Sequence, residues 1–407
     1  MNNSEGTRDD LKINETAPPE WRIVKLSEVA DVVSGYGFPL KYQGKEQGTY
    51  PFVKVGDMNL SDKYVNTASN FVGREELKQL HAKVFPSGTT IFPKIGMAVY
   101  LNKFRILSVE ATFDNNVAGI VPRRIHDEFL YYYFVSRVDL KAISNITTMP
   151  SIKKSTLENL QIPCPSLNEQ QRIAEILSTA DEAIQMVNDQ ITQTEHLKKG
   201  LMQTLLTKGI GHTKFKMTEI GEIPEEWETS VLNNVVDIMD HKRIPLSEAQ
   251  RMNKKGPYPY CGANGIIDYI DNFIFDDECV LLAEDGGTYE KFENKAYIMD
   301  GKYWVNNHAH VIKGKQGIAH NRFILYWLNF SDIRKYITGS TRTKLNLENL
   351  KKIPLPKIPL PEQQKIADIL TTVDDKLKLL RNKREYLEKL KKGLMGELLT
   401  GRVRVKV

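Results

Sequence analysis

The chain has 407 residues, of which 41% are hydrophobic and 26% are charged, and its formal net charge is +5. These proportions are ordinary for a globular protein and exclude both wholesale disorder and a fibrous protein. No apolar stretch approaches the roughly 18 to 20 residues that a membrane span needs, so we expect no membrane partner. At about 150 residues per domain, the length predicts two to three domains.

The first 17 residues are polar and contain no apolar signal-peptide core, so we expect a disordered tail and no secretory signal. The three cysteines, Cys164, Cys261 and Cys279, include no CxxC pair. This usage argues against a disulfide framework and against a metal site built on cysteine, and it favours the reducing cytoplasm. The mild positive charge permits nucleic-acid binding without requiring it, because the electric field depends on where the charges lie.

Several sequence blocks occur twice, in the same order in each half of the chain. The distance between the two copies falls from 206 residues at Trp21 and Trp227 to 190 at Leu157 and Leu347, and then recovers to 193. A period near 200 residues is too long for a solenoid and indicates a duplicated two-part unit, with a shared scaffold and two unlike heads. The repeated blocks are Glu-Trp at 20–21 and 226–227, LENL at 157–160 and 347–350, Glu-Gln-Gln at 169–171 and 362–364, and KKGLM-x-x-LLT at 198–207 and 391–400.

The middle of each copy carries short strand-type runs separated by Gly, Asn and Pro. One helical stretch follows in each copy, around 128–143 and 322–337. Each head is therefore predicted to be a compact α/β domain of about 140 residues with a mixed or mostly antiparallel sheet. The strand-type runs lie at 50–57, 89–93 and 115–121 in the first copy and at 258–267, 279–283 and 306–312 in the second.

The last part of each copy has the pattern of a long helix. Residues 168–207 contain no proline and a single glycine, and their apolar residues follow alternating steps of three and four, as in a heptad seam. Pro361 suits a first helical position, and Gly209 and Gly401 suit helix ends. A rod of about 40 residues is roughly 60 Å long, and so narrow a seam needs a partner. We expect the two helices to pair as an antiparallel coiled coil with a pseudo-two-fold axis and the heads at opposite ends. The seam residues are Leu177, Ala180, Ile184, Val187, Ile191 and Thr194, extended by Leu197, Leu201 and Leu205, and in the second copy Leu370, Val373, Leu377, Leu380, Arg384, Leu387, Leu390, Leu394 and Leu398.

These motifs resemble the specificity subunits of type I DNA restriction-modification systems, over nearly the whole chain after about Pro18. The resemblance rests on the repeated blocks above, on PYCGANGII at 259–267 and on LLAEDGG at 281–287. It implies an α/β (α+β) fold in which two long antiparallel helices, forming a coiled coil, separate two globular target recognition domains. The expected bounds are a disordered tail at 1–17, the first recognition domain at 18–163, a helical spacer at 164–209, a linker at 210–225, the second recognition domain at 226–355 and a second spacer at 356–402.

The resemblance also implies a function. Each recognition domain would read one half of a bipartite, asymmetric target in double-stranded DNA, and the helices would set the spacing and dock two methyltransferase subunits. Two restriction subunits with translocase and nuclease activity would complete the enzyme. This chain would have no catalytic residue and no cofactor, because adenine-N6 methylation and cleavage, with S-adenosylmethionine, ATP and Mg²⁺, belong to the partners. Two heads suit this task, since each wrong base pair costs only about 1 to 3 kcal/mol.

The loop just before LENL in each copy is the best candidate for DNA contact, because hydroxyl, Arg and Lys side chains suit phosphates and base edges. Backbone and amide groups of the PYCGANG turn could also approach a groove, and Glu284 and Asp285 could accept from cytosine amino groups. Solvated or structural turns are the alternative interpretation. The predicted DNA-binding residues are Lys54, Thr147, Thr148, Ser151, Lys153 and Lys154 in the first copy and Tyr260, Asn264, Gly265, Thr341, Arg342, Thr343 and Lys344 in the second.

The helix faces outside the seam are candidates for binding the partner subunits. Gly200 and Gly393 occupy matched positions, where glycine costs about 1 kcal/mol in a helix interior, and they predict a close helix approach or a bend. The residues predicted to contact a partner are Met186, Met202, Leu206, Leu379 and Met395.

Other functions were weighed against these motifs. The sequence has no Asn-Pro-Pro-Tyr or Asp-Pro-Pro-Tyr of an adenine methyltransferase, no glycine-rich loop for S-adenosylmethionine and no GxxxxGK[ST]. Asp285, Glu293 and Lys295 could form a nuclease-like Mg²⁺ site, although in one copy only. The alternatives that stay open are a non-enzymatic coiled-coil scaffold joining two protein-interaction domains, and a DNA-binding subunit of a related methylation-only or nuclease system.

Overall fold

The computed structural model describes residues 18–145, 148–339 and 343–406. It combines helices and strands in two compact units, so the predicted α+β class is confirmed. Unit 1 comprises the chain up to Met186 together with the part from Arg384 onwards, and unit 2 comprises Val187–Lys383. Each unit holds one head and part of both long helices. Within the described ranges, no helix has the length and apolar character needed to cross a bilayer.

The strands of unit 1 are β1 (Arg22–Lys25), β2 (Ala30–Ser34), β3 (Tyr50–Val53), β4 (Tyr64–Val65), β5 (Phe71–Val72), β6 (Thr90–Pro93), β7 (Arg105–Leu107), β8 (Thr112–Phe113), β9 (Val117–Pro122) and β10 (Gln161–Cys164). One sheet has the order β2-β9-β6-β7-β4 and another β5-β3-β8, while β1 and β10 form a separate pair. Neighbours are antiparallel except for β4–β7 and β3–β8. The head is therefore mostly antiparallel, as predicted.

The short helices of unit 1 are α1 (Leu26–Val29), α2 (Arg74–Gln79), α3 (Asp127–Arg137), α4 (Leu140–Ile143) and α5 (Lys154–Glu158), with 3₁₀ turns at Leu40–Tyr42, Asp57–Asn59 and Met97–Leu101. The helical stretch predicted around 128–143 is two helices, because the chain is extended at Val138 and Asp139. The Asp139 carboxylate then caps α4 by accepting from the Lys141 N–H at 2.9 Å. All residues from Phe129 to Phe134 in α3 are buried, as expected for a helix that is apolar all round.

The strands of unit 2 are β11 (Phe215–Thr218), β12 (Gly221–Pro224), β13 (Glu228–Val231), β14 (Val236–Ile238), β15 (Lys255–Gly262), β16 (Gly265–Ile270), β17 (Phe275–Asp276), β18 (Cys279–Ala283), β19 (Ala296–Met299), β20 (Lys302–Val305), β21 (Ala309–Gly314) and β22 (Pro354–Lys357). Two four-stranded sheets have the orders β14-β21-β18-β19 and β16-β15-β20-β17, and β13 pairs with β22. The arrangement β14-β21-β18 repeats β2-β9-β6 of unit 1, and β13–β22 repeats β1–β10. The duplicated sequence blocks therefore fold into the same frame.

The helices numbered next along the chain are α6 (Leu167–Lys208), α7 (Leu232–Val235), α8 (Glu248–Met252), α9 (Asn321–Phe330), α10 (Leu347–Lys351) and α11 (Leu360–Leu398), with 3₁₀ turns at Asp240–Lys242 and Arg334–Tyr336. The stretch 210–225, predicted as a linker, contains the antiparallel hairpin β11–β12. Ile223 of this hairpin is buried in the core of unit 2, because an apolar strand residue there has the Trp227 ring to pack against.

The long helices α6 and α11 lie inside the predicted spacers 164–209 and 356–402, and each helix end is within four residues of the predicted bound. In unit 2 the Arg381 guanidinium is 2.7 Å from the Glu195 carboxylate, and the Lys198 ammonium is 2.6 Å from the Asp374 carboxylate. Numbers rise along one helix as they fall along the other, so the segments are antiparallel, as predicted. In unit 1, Lys391 pairs with Asp181. The buried seam residues are Leu177, Val187, Ile191 and Thr194 in α6 and Leu370, Val373, Leu377 and Leu398 in α11.

Two details of the helix prediction are wrong. Leu197 and Leu390, both predicted to belong to the seam, are 52% and 43% exposed, since a straight α-helix drifts about 20° per heptad away from a seven-residue repeat. Gly200 and Gly393 are exposed, and a Cβ built on either would meet no atom within 4 Å. No neighbouring helix approaches these glycines among the described residues, and the helical backbone continues through both.

Candidate nucleic-acid interface

In unit 1 the loop before α5 is tied to the loop that follows β6. The Gly96 N–H donates to the Pro150 carbonyl at 2.8 Å, and the Ile152 N–H donates to the Lys94 carbonyl at 3.0 Å. Between these two hydrogen bonds, Ser151 forms an antiparallel β-bridge with Ile95. The predicted contact loop therefore has a fixed position on the sheet of the head.

Lys94 lies beside the predicted residues, although it was not predicted. A cavity of about 160 Å³ is lined by Lys94, Ser151 and Lys154, together with residues of β2 and β9. Burial lowers the pKa of Lys94, and the Asp114 carboxylate opposes that shift. The signal in the sequence was its position directly after a fully buried strand, where the backbone emerges at the edge of the sheet.

The remaining predictions in unit 1 fall in two places. Thr148 and Lys153 are exposed on the same loop, and the Lys154 ammonium is 3.5 Å from the Glu158 carboxylate one turn along α5. Thr147 lies outside the described residues.

Lys54 comes from β3 and belongs to the same end of the head. The Asp114 N–H donates to the Val53 carbonyl at 3.0 Å, so Lys54 and Lys94 both have Asp114 as a neighbour. The Lys54 ammonium donates to Gln43 Oε1 at 2.6 Å and lies 5.2 Å from the centre of the Phe38 ring. The Lys54 ammonium is therefore already engaged in contacts within the head.

The two joined segments, 94–109 and 140–157, contain no Asp or Glu. Segments with an excess of cations attract a polyanion, because their binding releases its condensed counterions. The cationic residues of these segments are Lys94, Lys103, Arg105, Lys141, Lys153 and Lys154.

Unit 2 joins the equivalent loops in the same way. Lys344, before α10, forms an antiparallel bridge with Asp285, after β18. The Asn264 amide, in the turn of the β15–β16 hairpin, donates to the Gly286 carbonyl at 3.3 Å. Gly265 closes that turn with φ of +126°, a backbone conformation that favours glycine. Three segments that are distant in sequence thus meet at one place, which brings together Asn264, Gly265 and Lys344.

The chemistry at this place differs from that in unit 1. The buried Glu284 carboxylate accepts from Arg243 Nη1 at 2.6 Å and pairs with the Lys344 ammonium at 2.8 Å. Burial alone would raise the pKa of Glu284, but Lys344 and Arg243 outweigh it and hold the pKa below its ordinary value. Both carboxylate oxygens are engaged, so the expectation that Glu284 is free to accept from cytosine is wrong. Asp285 is likewise paired, with His308 Nδ1 at 2.9 Å.

Asp240, Glu284 and His310 place ligand-type atoms within 4.8 Å of one another. His310 Nδ1 is 2.6 Å from Asp240 Oδ2, and its Nε2 is 2.8 Å from the Leu345 carbonyl. Arg243 also contacts Asp240, at 3.3 Å. These atoms already form hydrogen bonds and ion pairs with one another and with Arg243. The group is therefore interpreted as a structural network and does not support a metal site.

Several predicted residues of unit 2 stand apart from this group. Tyr260 is 1% exposed and its hydroxyl accepts from the Leu246 N–H at 2.8 Å, so its predicted DNA contact is wrong. It packs with Ile270 and Trp304 in a buried cluster of the head. Thr343 is exposed and lines a cavity of about 400 Å³ with Thr288 and Arg334. Thr341 and Arg342 lie outside the described residues.

The nuclease-like string does not assemble. The buried Lys295 ammonium donates to the carbonyls of Leu328, Asn329 and Ser331 at 3.1 Å and to that of Glu293 at 3.2 Å. It thereby satisfies the carbonyls at the end of α9, which have no partner within the helix. Burial lowers the pKa of Lys295 to about 8. This lysine has a structural partner set and is not directed at a carboxylate pair.

Of the residues predicted to bind partners, two are exposed and three are not. Met186 and Leu379 are exposed and lie 193 positions apart, at equivalent places on the two helices. Met202 and Leu206 are buried with Trp227 in the core of unit 2, and Met395 is buried in the core of unit 1. The prediction is wrong for these three, because a head packs over that end of each helix.

The repeated Glu-Trp and Glu-Gln-Gln blocks bind each other, which was not predicted. Trp21 Nε1 donates to Glu169 Oε2 at 3.1 Å in unit 1, and Trp227 Nε1 donates to Glu362 Oε2 at 3.2 Å in unit 2. The following glutamines act alike, since their Oε1 atoms accept from the backbone N–H before α3 and before α9, each at 2.8 Å. The repeats therefore fasten each head to the start of its own long helix. The sequence signal for this contact is that the two blocks recur together, once in each half of the chain.

The same duplication fastens each head further along the helices. Tyr132 of α3 donates to Asp181 Oδ2 at 2.6 Å in unit 1, and Tyr326 of α9 donates to Asp374 Oδ2 at 2.9 Å in unit 2. Each aspartate also pairs with a lysine of the opposite helix, as described above. Burial raises the pKa of both tyrosines well above the ordinary value. Each head is thus held by two fixed hydrogen-bonded joints.

Comparison with known proteins agrees with this architecture. The family model described as the type I restriction modification DNA specificity domain matches residues 18–196 and 224–389. Two Methanocaldococcus jannaschii proteins, named as the MjaX and MjaVIII specificity subunits of type I restriction enzymes, are 30% and 29% identical to the chain. The alignments cover 96% of this chain in both cases, and 95% and 94% of the relatives.

A solved structure shares the fold. The type I restriction-modification system S subunit from M. genitalium gives a TM-score of 0.64 at 15% identity, over 96% of this chain and 98% of that chain. The family model matches both copies of the duplicated unit, and the relatives are covered over nearly their whole length. The chain therefore belongs to the family of type I restriction-modification DNA specificity subunits.

Proposed function

We propose that this chain is the DNA-reading, non-catalytic subunit of a type I restriction-modification complex, and that each head reads one half of a bipartite target in double-stranded DNA. The observation that carries the proposal is that backbone hydrogen bonds tie the loop after β6 to the loop before α5 and so bring Lys94, Ser151 and Lys154 around one cavity. A fixed loop with hydroxyl and ammonium groups suits the phosphates that set register on a duplex.

The two heads present different chemistry at equivalent loops, which favours an asymmetric target. The residue after β6 is Lys94, whereas the residue after β18 is Glu284, which is neutralised by Arg243 and Lys344. Two unlike surfaces have different preferences at base edges. The half-sites should therefore differ in sequence and in salt sensitivity.

The helices would set the spacing and dock two methyltransferase subunits. Exposed apolar residues at equivalent positions of α6 and α11 support two copies of one partner, because a duplicated surface suits a duplicated ligand. S-adenosylmethionine, ATP, Mg²⁺ and adenine-N6 methylation would then belong to the methyltransferase and restriction subunits. The matched exposed pairs are Met186 with Leu379, Leu197 with Leu390, and Gly200 with Gly393.

Duplexes selected from a random pool by the purified full chain would test the DNA assignment. Lys94→Met should weaken binding several-fold for every sequence and reduce the slope of log affinity against log salt by about one. Lys389→Met, at an exposed lysine of α11 paired only with Glu385, is the matched control and should change neither quantity. Failure to enrich any duplex, or an affinity that is flat with salt, would favour the protein scaffold alternative.

A further inference from the structure

The turn that follows Lys94 in unit 1 exposes large apolar side chains. Met97 is 70% exposed and Leu101 is 63% exposed, and both lie on the 3₁₀ turn between β6 and β7. Met149, on the facing loop, is 66% exposed. Val99 is fully buried, so the turn is anchored by one residue and presents its neighbours outwards. Apolar side chains presented together on a surface indicate a contact site.

This turn is held rigidly. The Asn102 amide donates to the Val138 carbonyl at 3.1 Å, and its Oδ1 accepts from the Leu140 N–H at 2.8 Å. On the other side, Gly96 has φ of +79° and binds the Pro150 carbonyl. Hydrogen bonds at both ends thus fix the turn before any partner arrives, so its apolar side chains are preorganised.

The charges around the turn identify the kind of partner. Lys94 precedes it and Lys103 follows it, and the Lys141 ammonium lies 5.5 Å from the centre of the Tyr100 ring within it. No carboxylate occurs in either joined segment. A protein partner would have to bring its own anions to this surface, whereas DNA presents an unbroken row of them on either side of a groove.

We propose that Met97 and Leu101 enter the major groove of the half-site read by unit 1 and contact thymine C5 methyl groups. This inference rests on the proposed function. Neither side chain can exchange a strong hydrogen bond with a base edge, and the thymine methyl is the apolar feature that the major groove displays. The flanking lysines bind the phosphates on both sides of that groove. Recognition at this turn is therefore apolar, and its target half-site contains thymine.

Unit 2 supplies an internal contrast. Gly96 and Gly286 are equivalent, because each is the third residue beyond the end of its strand and each has positive φ. The next residue is Met97 in unit 1 but Gly287 in unit 2. The second head has no side chain at this position and is expected to be insensitive to thymine methyls there.

Uracil substitution isolates the methyl group. The full chain is bound to its selected duplex, and to duplexes in which deoxyuridine replaces thymidine in one half-site at a time. Each methyl lost from the half-site of unit 1 should weaken binding about fourfold, which corresponds to about 0.8 kcal/mol for a buried methylene-sized group. Met97→Gln and Leu101→Asn should bind thymine and uracil duplexes equally. Substitution in the other half-site should have no effect.

Met217→Gln, at an exposed methionine of β11, is the matched control and should keep the wild-type response. A selected half-site without thymine, or an unchanged affinity for the uracil duplex, would overturn the inference while leaving DNA reading intact. Variants that lose affinity equally for thymine and uracil duplexes would also overturn it and indicate a wedge between base steps. Absence of duplex binding by the wild-type chain would instead refute the proposed function.

Discussion

The indole N–H of Trp21 donates to Glu169 Oε2 at 3.1 Å, although 148 residues separate the two. Glu169 is also held by Arg404, whose Nε and Nη2 lie 2.6 and 2.9 Å from its two oxygens. In unit 2 the equivalent Glu362 accepts from Trp227, and His212 Nε2 lies 2.9 Å from its Oε1. One carboxylate at the start of each long helix therefore fastens the head and a following segment.

Removing this carboxylate from unit 1 should destabilise that unit. Glu169→Ala leaves the buried indole N–H without its acceptor and leaves the Arg404 guanidinium with Glu20 as its remaining carboxylate partner. We expect a loss of about 2 to 3 kcal/mol in the free energy of unfolding, limited because Arg404 is partly exposed and can turn to water. Urea unfolding of the full chain, followed by tryptophan fluorescence, measures the loss.

The matched control is Glu175→Ala on the same helix. Glu175 is exposed and pairs with Arg172 at 3.0 Å, so its removal should destabilise the chain much less than removal of Glu169. If the two substitutions destabilised the chain equally, the joint at Glu169 would have no special role.

The sequence predicts this architecture because the same sequence blocks occur in both halves of the chain. Trp21 and Glu169 stand in sequence blocks that recur together, and the heptad spacing predicts the two long helices, whose ends lie within four residues of the expected spacer bounds. The direct contact between Trp21 and Glu169 cannot be predicted from the sequence. Periodicity shows which face of one element is apolar, but it does not show which distant element covers that face. For the same reason Met202 reads as an exposed partner contact, although Trp227 of the head packs over it.

The candidate interface shows the same limit. The loop before LENL is predictable from its hydroxyl and basic residues, because turn composition is local. Lys94 and Glu284 are not predictable as its neighbours, since only the strand order brings the loop after β6 or β18 against it. Tyr260 fails for a different reason: a conspicuous motif near a turn suggests exposure, while this end of β15 is buried and Tyr260 packs with Ile270 and Trp304.

The buried Lys295 should make unit 2 more stable at alkaline pH. Its pKa is about 8 in the folded chain and about 10.5 when unfolded, so between these values the unfolded chain binds more protons. The free energy of unfolding contributed by Lys295 therefore rises with pH from 8 to 10.5, by about 3 kcal/mol in total. Urea unfolding of the wild type and of Lys295→Met at pH 7.5 and pH 10 separates this contribution from that of other groups.

As the pH rises, the free energy of unfolding of the wild type should increase relative to that of Lys295→Met. Lys291→Met, at a nearby exposed lysine, provides the control and should show no such divergence. A constant difference between the wild type and Lys295→Met across this range would contradict the assignment.

Acid should weaken the network at the loop of unit 2. The pKa of Glu284 is held below its ordinary value, so its stabilising contribution is complete above about pH 4.5 and is lost as the pH falls through the folded pKa. Asp240 has the same sign, because His310, Val311 and Arg243 outweigh its burial. Glu284→Gln should flatten the dependence of stability on pH between about 5 and 3. A steep dependence that survives in the variant would assign the acid sensitivity elsewhere.

Substitutions at the exposed glycines distinguish effects on folding from effects on assembly. Gly200→Ala and Gly393→Ala should each raise the free energy of unfolding by up to about 1 kcal/mol, because a Cβ meets no atom within 4 Å and glycine is a poor helix former. Gly200→Leu should likewise keep the fold, yet weaken association with the methyltransferase subunit if that partner lies against this helix face. Thr192→Leu, at another exposed position of α6, is the control. Calorimetric unfolding and analytical ultracentrifugation with the partner give the two readouts. Loss of stability in Gly200→Leu would mean that the glycine serves the fold, whereas intact stability with intact association would place the partner elsewhere.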